Sequence, residues 1–528
     1  MSAPSLTPEE PAYIDAPTAA SRLPSRPRRR WGRLAWLGLF VLWGGVSIYQ
    51  THKPLPPGTH VNGEWIASPT GSVTFIADIT SADAYGRAVM SQAIFDQVLG
   101  VVRGAQRFLV IDYFLFNAHR GADTSGPPAR ALSSELRDAV IEQKKLHPDL
   151  RVLFITDPIN DVYGGAPSKD LQALRDAGID VVVTDLDALR DSNFAYSSLW
   201  RVLISWWSGD SDDKGGGEGW LPNPLDSNSQ DVTFGAWARL VNFKANHRKV
   251  VIGDDGAGGM VGIVSSANPH DGSSAHSNVA AKIVGPALKP LLESELAVAK
   301  FSGWQGVIAV EAARGAPPVN DSTKLEGGQI VRTRVLTEGA IRSALVEQID
   351  SAVRGENIDI AMFYISDRRV VDSLVAAAAR GVNVRLILDP NKDAFGHEKN
   401  GVPNRPVASE LVAASDGAIH VRWYRTHGEQ FHTKMVLIYG ADRVWISLGS
   451  ANLTRRNIGD YNLEANIAIE TARGSPLGAQ VLEYFDTMWS NRAALGIEYT
   501  ADYGVYADPT QGNYWLYRVM ESTGLSTF

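Results

Sequence analysis

The sequence predicts an α/β protein made of two pseudo-symmetric α/β sandwich halves behind one N-terminal transmembrane helix. Three observations carry that expectation: a His-x-Lys strand motif that occurs twice, helix–strand units that recur in the same order around each copy, and one apolar run near the N-terminus. The chain has 528 residues, 44% of them hydrophobic, enough for two good cores in one bilobal unit.

Residues 1–30, rich in Pro, Ser, Ala and Arg, read as a disordered basic cytoplasmic tail. Residues 31–50 read as a transmembrane anchor. Trp31 to Tyr49 carries only Arg33 as a charge, and at about 1.5 Å per residue it just crosses a hydrocarbon core of about 30 Å. Arg22, Arg26, Arg28, Arg29, Arg30 and Arg33 lead into it, while only His52 and Lys53 follow closely. The positive-inside rule then keeps the N-terminus cytoplasmic and sends the rest across a single-pass inner (cytoplasmic) membrane to the periplasmic or extracellular side. A small-residue cleavage site is not evident, which favours an uncleaved anchor over a signal peptide. Residues 51–72, with Pro54-Leu55-Pro56-Pro57-Gly58, read as a stiff Pro-rich linker.

Residues 73–325 and 326–528 form the two halves. "IFDQVLGVVRGAQRFLVIDYFLF" from Ile94 parallels "IRSALVEQIDSAVRGENIDIAMFYI" from Ile341, each an amphipathic helix, a polar turn and a buried strand. Strands ending in Asp-Pro follow in both, from Leu150 and from Val384. A further helix–strand pair begins at Leu171 and at Ser409. Such alternation implies mixed or parallel sheets flanked by helices. The aromatic tail from Tyr499 to Phe528 is expected to pack on the second half.

The repeated motif carries the chemistry. "NHRKVVIGDDGAGGMVGIVSSAN" from Asn246 and "FHTKMVLIYGADRVWISLGSAN" from Phe431 share one layout. In each, a histidine and a lysine two apart point to one face of a strand. His247 with Lys249, and His432 with Lys434, make poor structural pairs, because neither cation neutralises the other. They make sense around an anion. Ser266-Ala267-Asn268 and Ser450-Ala451-Asn452 close the two copies, 19 and 18 residues after the histidines. Packed about a pseudo-two-fold axis, the halves bring two histidines and two lysines to one phosphate.

These residues resemble the phospholipase D superfamily, whose signature is His-x-Lys-x4-Asp used twice. The first copy is complete in His247, Lys249 and Asp254, whereas Tyr439 stands at the aspartate position of the second. The resemblance runs from about Val73 to Arg492 and is nearest to membrane-attached bacterial phospholipases and cardiolipin synthases. It implies an enzyme, a phosphodiesterase or phosphatidyltransferase that cleaves or transfers phospholipid phosphodiesters through a covalent phosphohistidine. The family places the nucleophile in the first motif, hence His247, and the general acid/base in the second, hence His432; the residues themselves do not choose. Lys249, Lys434, Asn268 and Asn452, with Ser266 and Ser450, are the expected binders of the phosphate oxygens. Imidazole suits both proton transfer and attack because its ordinary pKa of about 6.5 lies near working pH.

A nucleophilic histidine needs its second ring nitrogen held. Glu464 matches a downstream acid of the family and is the candidate; alternatively it is a surface carboxylate. In the first half either Asp271 or His276 stands near the equivalent place. Strand alternation puts Asp254 and Tyr439 behind the phosphate-facing surface, as supports, with Asp442 as a substitute acceptor in the second turn.

No cofactor or metal is required: the chain lacks cysteine, and Asp254-Asp255, Asp210, Asp212 and Asp213 read as turn and loop acids. The expected partners are a phospholipid membrane and an alcohol or water acceptor. Net charge is −8, from 50 basic and 58 acidic residues, which counts against nucleic acid as substrate. A nuclease and a non-catalytic lipid-binding relative stand as alternatives. An insertion from Phe194, with Trp200, Trp206, Trp207 and Trp220, reads either as a membrane-dipping lid or as a helix packed on the domain.

Overall fold

The computed structural model describes residues 28–83, 85–120, 130–205, 219–224, 230–309, 329–394, 397–492, 496–526 and 528. Helix α1 (Arg28–His52) and strand β1 (Ile66–Pro69) open the chain. The first half runs β2 (Val73–Ala82), β3 (Ala88–Ser91), α2 (Ile94–Gly104), β4 (Phe108–Tyr113), α3 (Leu132–Leu146), β5 (Arg151–Thr156), α4 (Lys169–Asp176) and β6 (Asp180–Val183). It continues through α5 (Phe194–Leu203), α6 (Phe234–Leu240), β7 (Lys249–Asp254), β8 (Met260–Ser265), β9 (Asn278–Val284) and α7 (Lys289–Phe301).

The second half runs β10 (Ile330–Thr337), α8 (Gly339–Ser351), β11 (Asn357–Met362), α9 (Arg368–Ala379), β12 (Asn383–Leu388), a short ribbon β13 (Asp393–Ala394) and β14 (His397–Glu398), α10 (Asn404–Ala414) and β15 (Ile419–Tyr424). It ends with β16 (Lys434–Tyr439), β17 (Arg443–Gly449), α11 (Arg455–Ile458), β18 (Ala465–Ala472), α12 (Pro476–Ser490), β19 (Thr500–Asp502) and α13 (Gln511–Thr523).

One sheet has the order β3-β2-β9-β8-β7-β4-β5-β6, the other β1-β10-β18-β17-β16-β11-β12-β15-β19. Without the edge strands β3, β1 and β19, these are the same order twice, as the repeats require. In each half three strands lie parallel, β4-β5-β6 and β11-β12-β15, because helices cross between them. Local chemistry starts those helices: the Asp367 carboxylate accepts from the amides of Arg369 and Val370 at the head of α9, and the Ser475 hydroxyl caps α12.

The two sheets face each other across a shared core. Val250 and Ile252 of β7 and Met435 and Leu437 of β16 belong to it, with Leu291 and Leu292 of α7 and Val481 and Phe485 of α12. The alternate residues turn outwards: Val251 packs under α2 to α4, and Val436 and Ile438 pack under α8 to α10. Alternation thus gives every central strand two buried faces. The C-terminal tail packs as expected, with β19 on β15 and the buried Tyr517 of α13 donating to Glu410.

Helix α1 is long and apolar enough, from Trp31 to His52, to cross a membrane. Its early residues Trp31, Trp36 and Phe40 are exposed. Its last turns dock on α5, where the Trp43 indole donates to the Ala195 carbonyl (3.1 Å) and the Asp191 amide to the Gln50 carbonyl (3.0 Å).

The linker is not a free spacer. Thr59 is fully buried, and its carbonyl accepts from Arg248 Nη2 (3.2 Å), Ser294 Oγ (3.0 Å) and Thr337 Oγ1 (2.7 Å). Beyond it β1 pairs antiparallel with β10 of the second half. Buried carbonyls need partners, and those partners pin the segment between the halves. Of the tryptophan insertion, α5 packs on α1 with Trp200 buried, while Trp220 is exposed; Trp206, Trp207, Asp210, Asp212 and Asp213 lie outside the described residues.

Candidate active site

Strands β7 and β16 deliver the two His-Lys pairs from opposite halves, and each pair begins where its strand begins. Two aspartates set those starts. The amide of Asn246 donates to Asp157 Oδ2 and that of Phe431 to Asp389 Oδ2, both at 2.7 Å. These are the acids of the repeated Asp-Pro pairs, so the strand ends that recur in the sequence carry the backbone in front of each histidine. Burial raises Asp157 to about 8 and Asp389 to about 6.

His247, Lys249, His432 and Lys434 are all buried. Their surroundings repeat about the pseudo-two-fold axis. Lys249 Nζ donates to the His247 carbonyl (2.7 Å) and Lys434 Nζ to the His432 carbonyl (3.1 Å). Phe114 lies 4.9 Å from the His247 ring, and Phe363 4.9 Å from the His432 ring. Each phenyl also faces the lysine of its pair, at 5.3 Å in both cases. Nothing in the motif announced Phe114 and Phe363; they stand just after β4 and β11, strands that the sequence does align.

Each histidine is held from the other half. Glu464 reaches across to His247 Nδ1 with Oε1 at 2.8 Å and Oε2 at 3.1 Å. The residue that faces His432 Nδ1 is Asn278, whose Oδ1 lies 3.1 Å away. The Asn278 amide is oriented by its Nδ2, which donates to the His276 carbonyl, so Oδ1 accepts and His432 Nδ1 carries the hydrogen.

Glu464 is thus no surface carboxylate. In the first half neither Asp271 nor His276 takes the equivalent place. Asp271 accepts from the Ser133 amide and hydroxyl, and His276 lies beside the His432 ring, 5.8 Å between centroids. Asn278 was hidden by spacing: it falls 12 residues after Ser266, whereas Glu464 falls 14 after Ser450.

Ser266 and Ser450, expected to bind substrate, instead steady these two holders. Ser266 Oγ donates to Asn278 Oδ1 (2.9 Å) while accepting from the Val279 amide, and Ser450 Oγ donates to Glu464 Oε2 while accepting from the Ala465 amide. Asn457 donates its amide to Glu464 Oε1 as well. Asn268 and Asn452 are buried; Asn268 Oδ1 accepts from the Leu115 amide (3.3 Å), and Asn452 Oδ1 has no partner among the described residues.

Asp254 stands apart from the cluster, as strand alternation requires. Its Oδ1 accepts from the amides of Gln106, Arg107 and Phe108, and its Oδ2 from Gly256. It pins the α2–β4 turn and touches no reacting group. Tyr439 occupies that rear face in the second half, but through a different partner: its hydroxyl donates to Asp359 Oδ2 (2.9 Å), which also pairs with Arg385 (2.6 Å). Asp442 is exposed and does not replace the lost acceptor; in the α8–β11 turn, the counterpart of the turn that Asp254 pins, Glu356 Oε2 takes the Val353 amide instead.

Electrostatics follow from burying four potential cations side by side. Burial lowers His247 to about 4, against the opposing pull of Glu464. Burial lowers Lys249 to about 7, and pushes His432 and Lys434 well below their ordinary values, with neighbouring cations adding to the effect. Glu464 is held below the usual carboxylate range by His247 and Lys249, which outweigh its burial. An anion bound between the pairs would add an attraction that opposes these repulsions and favours the charged forms. Among the described residues no group of three or more His, Asp or Glu side chains is placed to hold a metal ion.

Residues 345–489 match the family model described as the cardiolipin synthase, PLD-like domain. Cardiolipin synthase A of Pseudomonas syringae pv. syringae (strain B728a) is 29% identical over 241 residues, 43% of this chain and 44% of that protein. The match spans under half the length of that curated relative. The fold is similar to that of the phosphatidylserine synthase of Haemophilus influenzae Rd KW20, with a TM-score of 0.51 and 13% identity over 87% of this chain and 95% of that one.

Proposed function

We propose that the chain is a phospholipase D-like, membrane-anchored phosphodiesterase or phosphatidyltransferase that moves a phosphatidyl group through a phosphohistidine. One observation carries the reading: both histidines are buried on one cleft beside a lysine, and only His247 is backed by a carboxylate.

That asymmetry divides the labour. A ring that attacks phosphorus through Nε2 becomes cationic, and the Glu464 carboxylate at its Nδ1 stabilises that charge. A ring that shuttles a proton must lose its charge readily, and a neutral amide at Nδ1 suits it. His247 is therefore the nucleophile. It forms a bond to phosphorus as the P–O bond to the leaving alkoxide breaks, and His432 gives that oxygen its proton. His432 then takes a proton from water or an alcohol, whose oxygen displaces His247 from phosphorus. Lys249 and Lys434 balance the charge on the non-bridging oxygens throughout.

His432 starts this cycle protonated although its proton affinity in the cleft is low. The phosphodiester monoanion supplies the compensation, since it lies against the cations that lower it. Helix α1 holds the cleft at a bilayer, where phospholipid is the available phosphodiester; the charge before and after it favours a cytoplasmic N-terminus.

The test is to trap the intermediate with radiolabelled phospholipid. His247→Ala and His432→Ala should each abolish turnover, and label should accumulate only in His432→Ala. A labelled phosphoenzyme in His247→Ala would reverse the roles. Treatment with EDTA should leave the rate unchanged; a clear loss would sink a metal-free mechanism.

A further inference from the structure

Arg456 lies beside the cleft and takes no part in the mechanism above. It stands on α11, between Arg455 and the Asn457 that steadies Glu464. It is 9% exposed, yet no carboxylate pairs with it among the described residues. Its Nη1 donates to the carbonyls of Phe243 (3.3 Å) and Ser526 (2.5 Å), and its Nε has no partner among the described residues. Arg248, fully buried, shows the ordinary solution: Glu295 at 3.2 Å and Glu338 at 2.7 Å. A buried guanidinium without a counter-ion is costly unless a ligand provides one.

The nearby acids are otherwise engaged. Glu464 is shared by His247 and Lys249, and Glu521, raised to about 7 by burial, is bonded to Ser366 and the Arg455 amide. Tyr163 and Tyr364 also lie close enough to act on the Arg456 charge. Tyr364 packs on Phe363, 4.0 Å between centroids, and so adjoins the His432 ring; its hydroxyl accepts from Lys399 (2.5 Å). The backbone here is strained. Val162, Tyr163 and Phe243 hold φ values of 52°, 55° and 53°, a region that β-branched and aromatic residues avoid and that clusters at ligand sites.

Charge balance names the ligand class. Lys249, Lys434 and the protonated His432 of the cycle, against Glu464, leave two positive charges, and one phosphodiester monoanion neutralises only one of them. Arg456 adds to the excess. We infer that Arg456, with Tyr163, Tyr364 and Lys399, binds a second, non-reacting phosphate of the substrate. A planar guanidinium is suited to two phosphate oxygens at once. The two phosphates are either joined as a diphosphate or spaced along the lipid backbone. This rests on the reading of the His-Lys cleft as a phosphodiester site.

The experiment is calorimetric titration of the detergent-solubilised full chain with inorganic phosphate, pyrophosphate and 1,3-propanediol bisphosphate. One of the two-phosphate probes should bind at least about tenfold tighter than phosphate, and which one wins tells a diphosphate from a spaced bisphosphate. Arg456→Gln should remove that preference and leave phosphate binding within about twofold; Arg456→Lys should keep part of it. Equal affinity for all three probes in the unsubstituted chain would overturn the inference without touching the function. So would an equal loss for all three in Arg456→Gln, which would mean that Arg456 only supports Asn457 and Glu464. Failure of phosphate itself to bind would overturn the cleft reading, and this inference with it.

Discussion

Replacing Glu464 by Gln removes a charge and almost nothing else. The carbonyl end of the amide can take the place of Oε1, where it still accepts from Asn457 Nδ2 and from His247 Nδ1. The amino end then faces Ser450, whose hydroxyl turns to accept. The ring therefore keeps its tautomer, and what is lost is the attraction between a carboxylate and a ring that becomes cationic on attack. At the observed 2.8 Å, that attraction is on the order of 6 kcal/mol at an effective dielectric constant of about 20. An amide dipole retains part of it. A loss of about half, roughly 3 kcal/mol, slows formation of the phosphoenzyme about a hundredfold. The assay is single-turnover labelling with quench times from milliseconds to minutes, beside thermal denaturation to confirm the fold. Labelling within threefold of the unsubstituted rate would refute Glu464 as the group that stabilises the attacking ring.

Three further outcomes are expected. Tyr439→Phe deletes one hydrogen bond to Asp359, which keeps Arg385, so thermal stability should fall by about 0.5–1.5 kcal/mol with turnover nearly unchanged; loss of turnover in a folded variant would put Tyr439 in the site. Asp254→Ala strands the amides of Gln106, Arg107, Phe108 and Gly256 and should cost about 3 kcal/mol or more in denaturant titration. Those amides hold the folded-state pKa of Asp254 below its unfolded value, so its contribution is present above the unfolded pKa and is lost as pH falls through the folded one. Finally, burial lowers Lys249 to about 7, and an anion bound beside it would favour the charged form, so affinity for a dialkyl phosphate monoanion should fall by up to about tenfold per unit as pH rises above 7. Affinity that stayed flat to pH 9 would remove Lys249 from anion binding.

Much of this was legible in the sequence because it is written twice. The matching helix–strand units gave two sheets of the same order, and period-two alternation was enough to send Asp254 and Tyr439 to the rear face. Contacts across the pseudo-two-fold axis left no such trace. Glu464 and His247 are 217 residues apart, and Asn278 and His432 are 154 apart; no local pattern links them, and unequal spacing from the serines concealed Asn278. Linker composition gives stiffness from Pro54 to Gly58 but not anchoring, and the three donors that converge on the Thr59 carbonyl just beyond it supply that. Asp442 was read from proximity in the chain as the replacement for the lost aspartate, whereas the acceptor that takes the Val353 amide is Glu356, distant from Asp442 in sequence.

Because each histidine leans on a residue of the opposite half, neither half holds a finished site. Two identical copies of one half, associating by symmetry, would be obliged to back both histidines with the same side chain. Covalent fusion lifts that constraint. One copy of the position has become Glu464 and the other Asn278, and the two rings no longer share one chemistry. The fused chain is thus a dimer freed from its own symmetry, in which a substitution on one side can specialise the other.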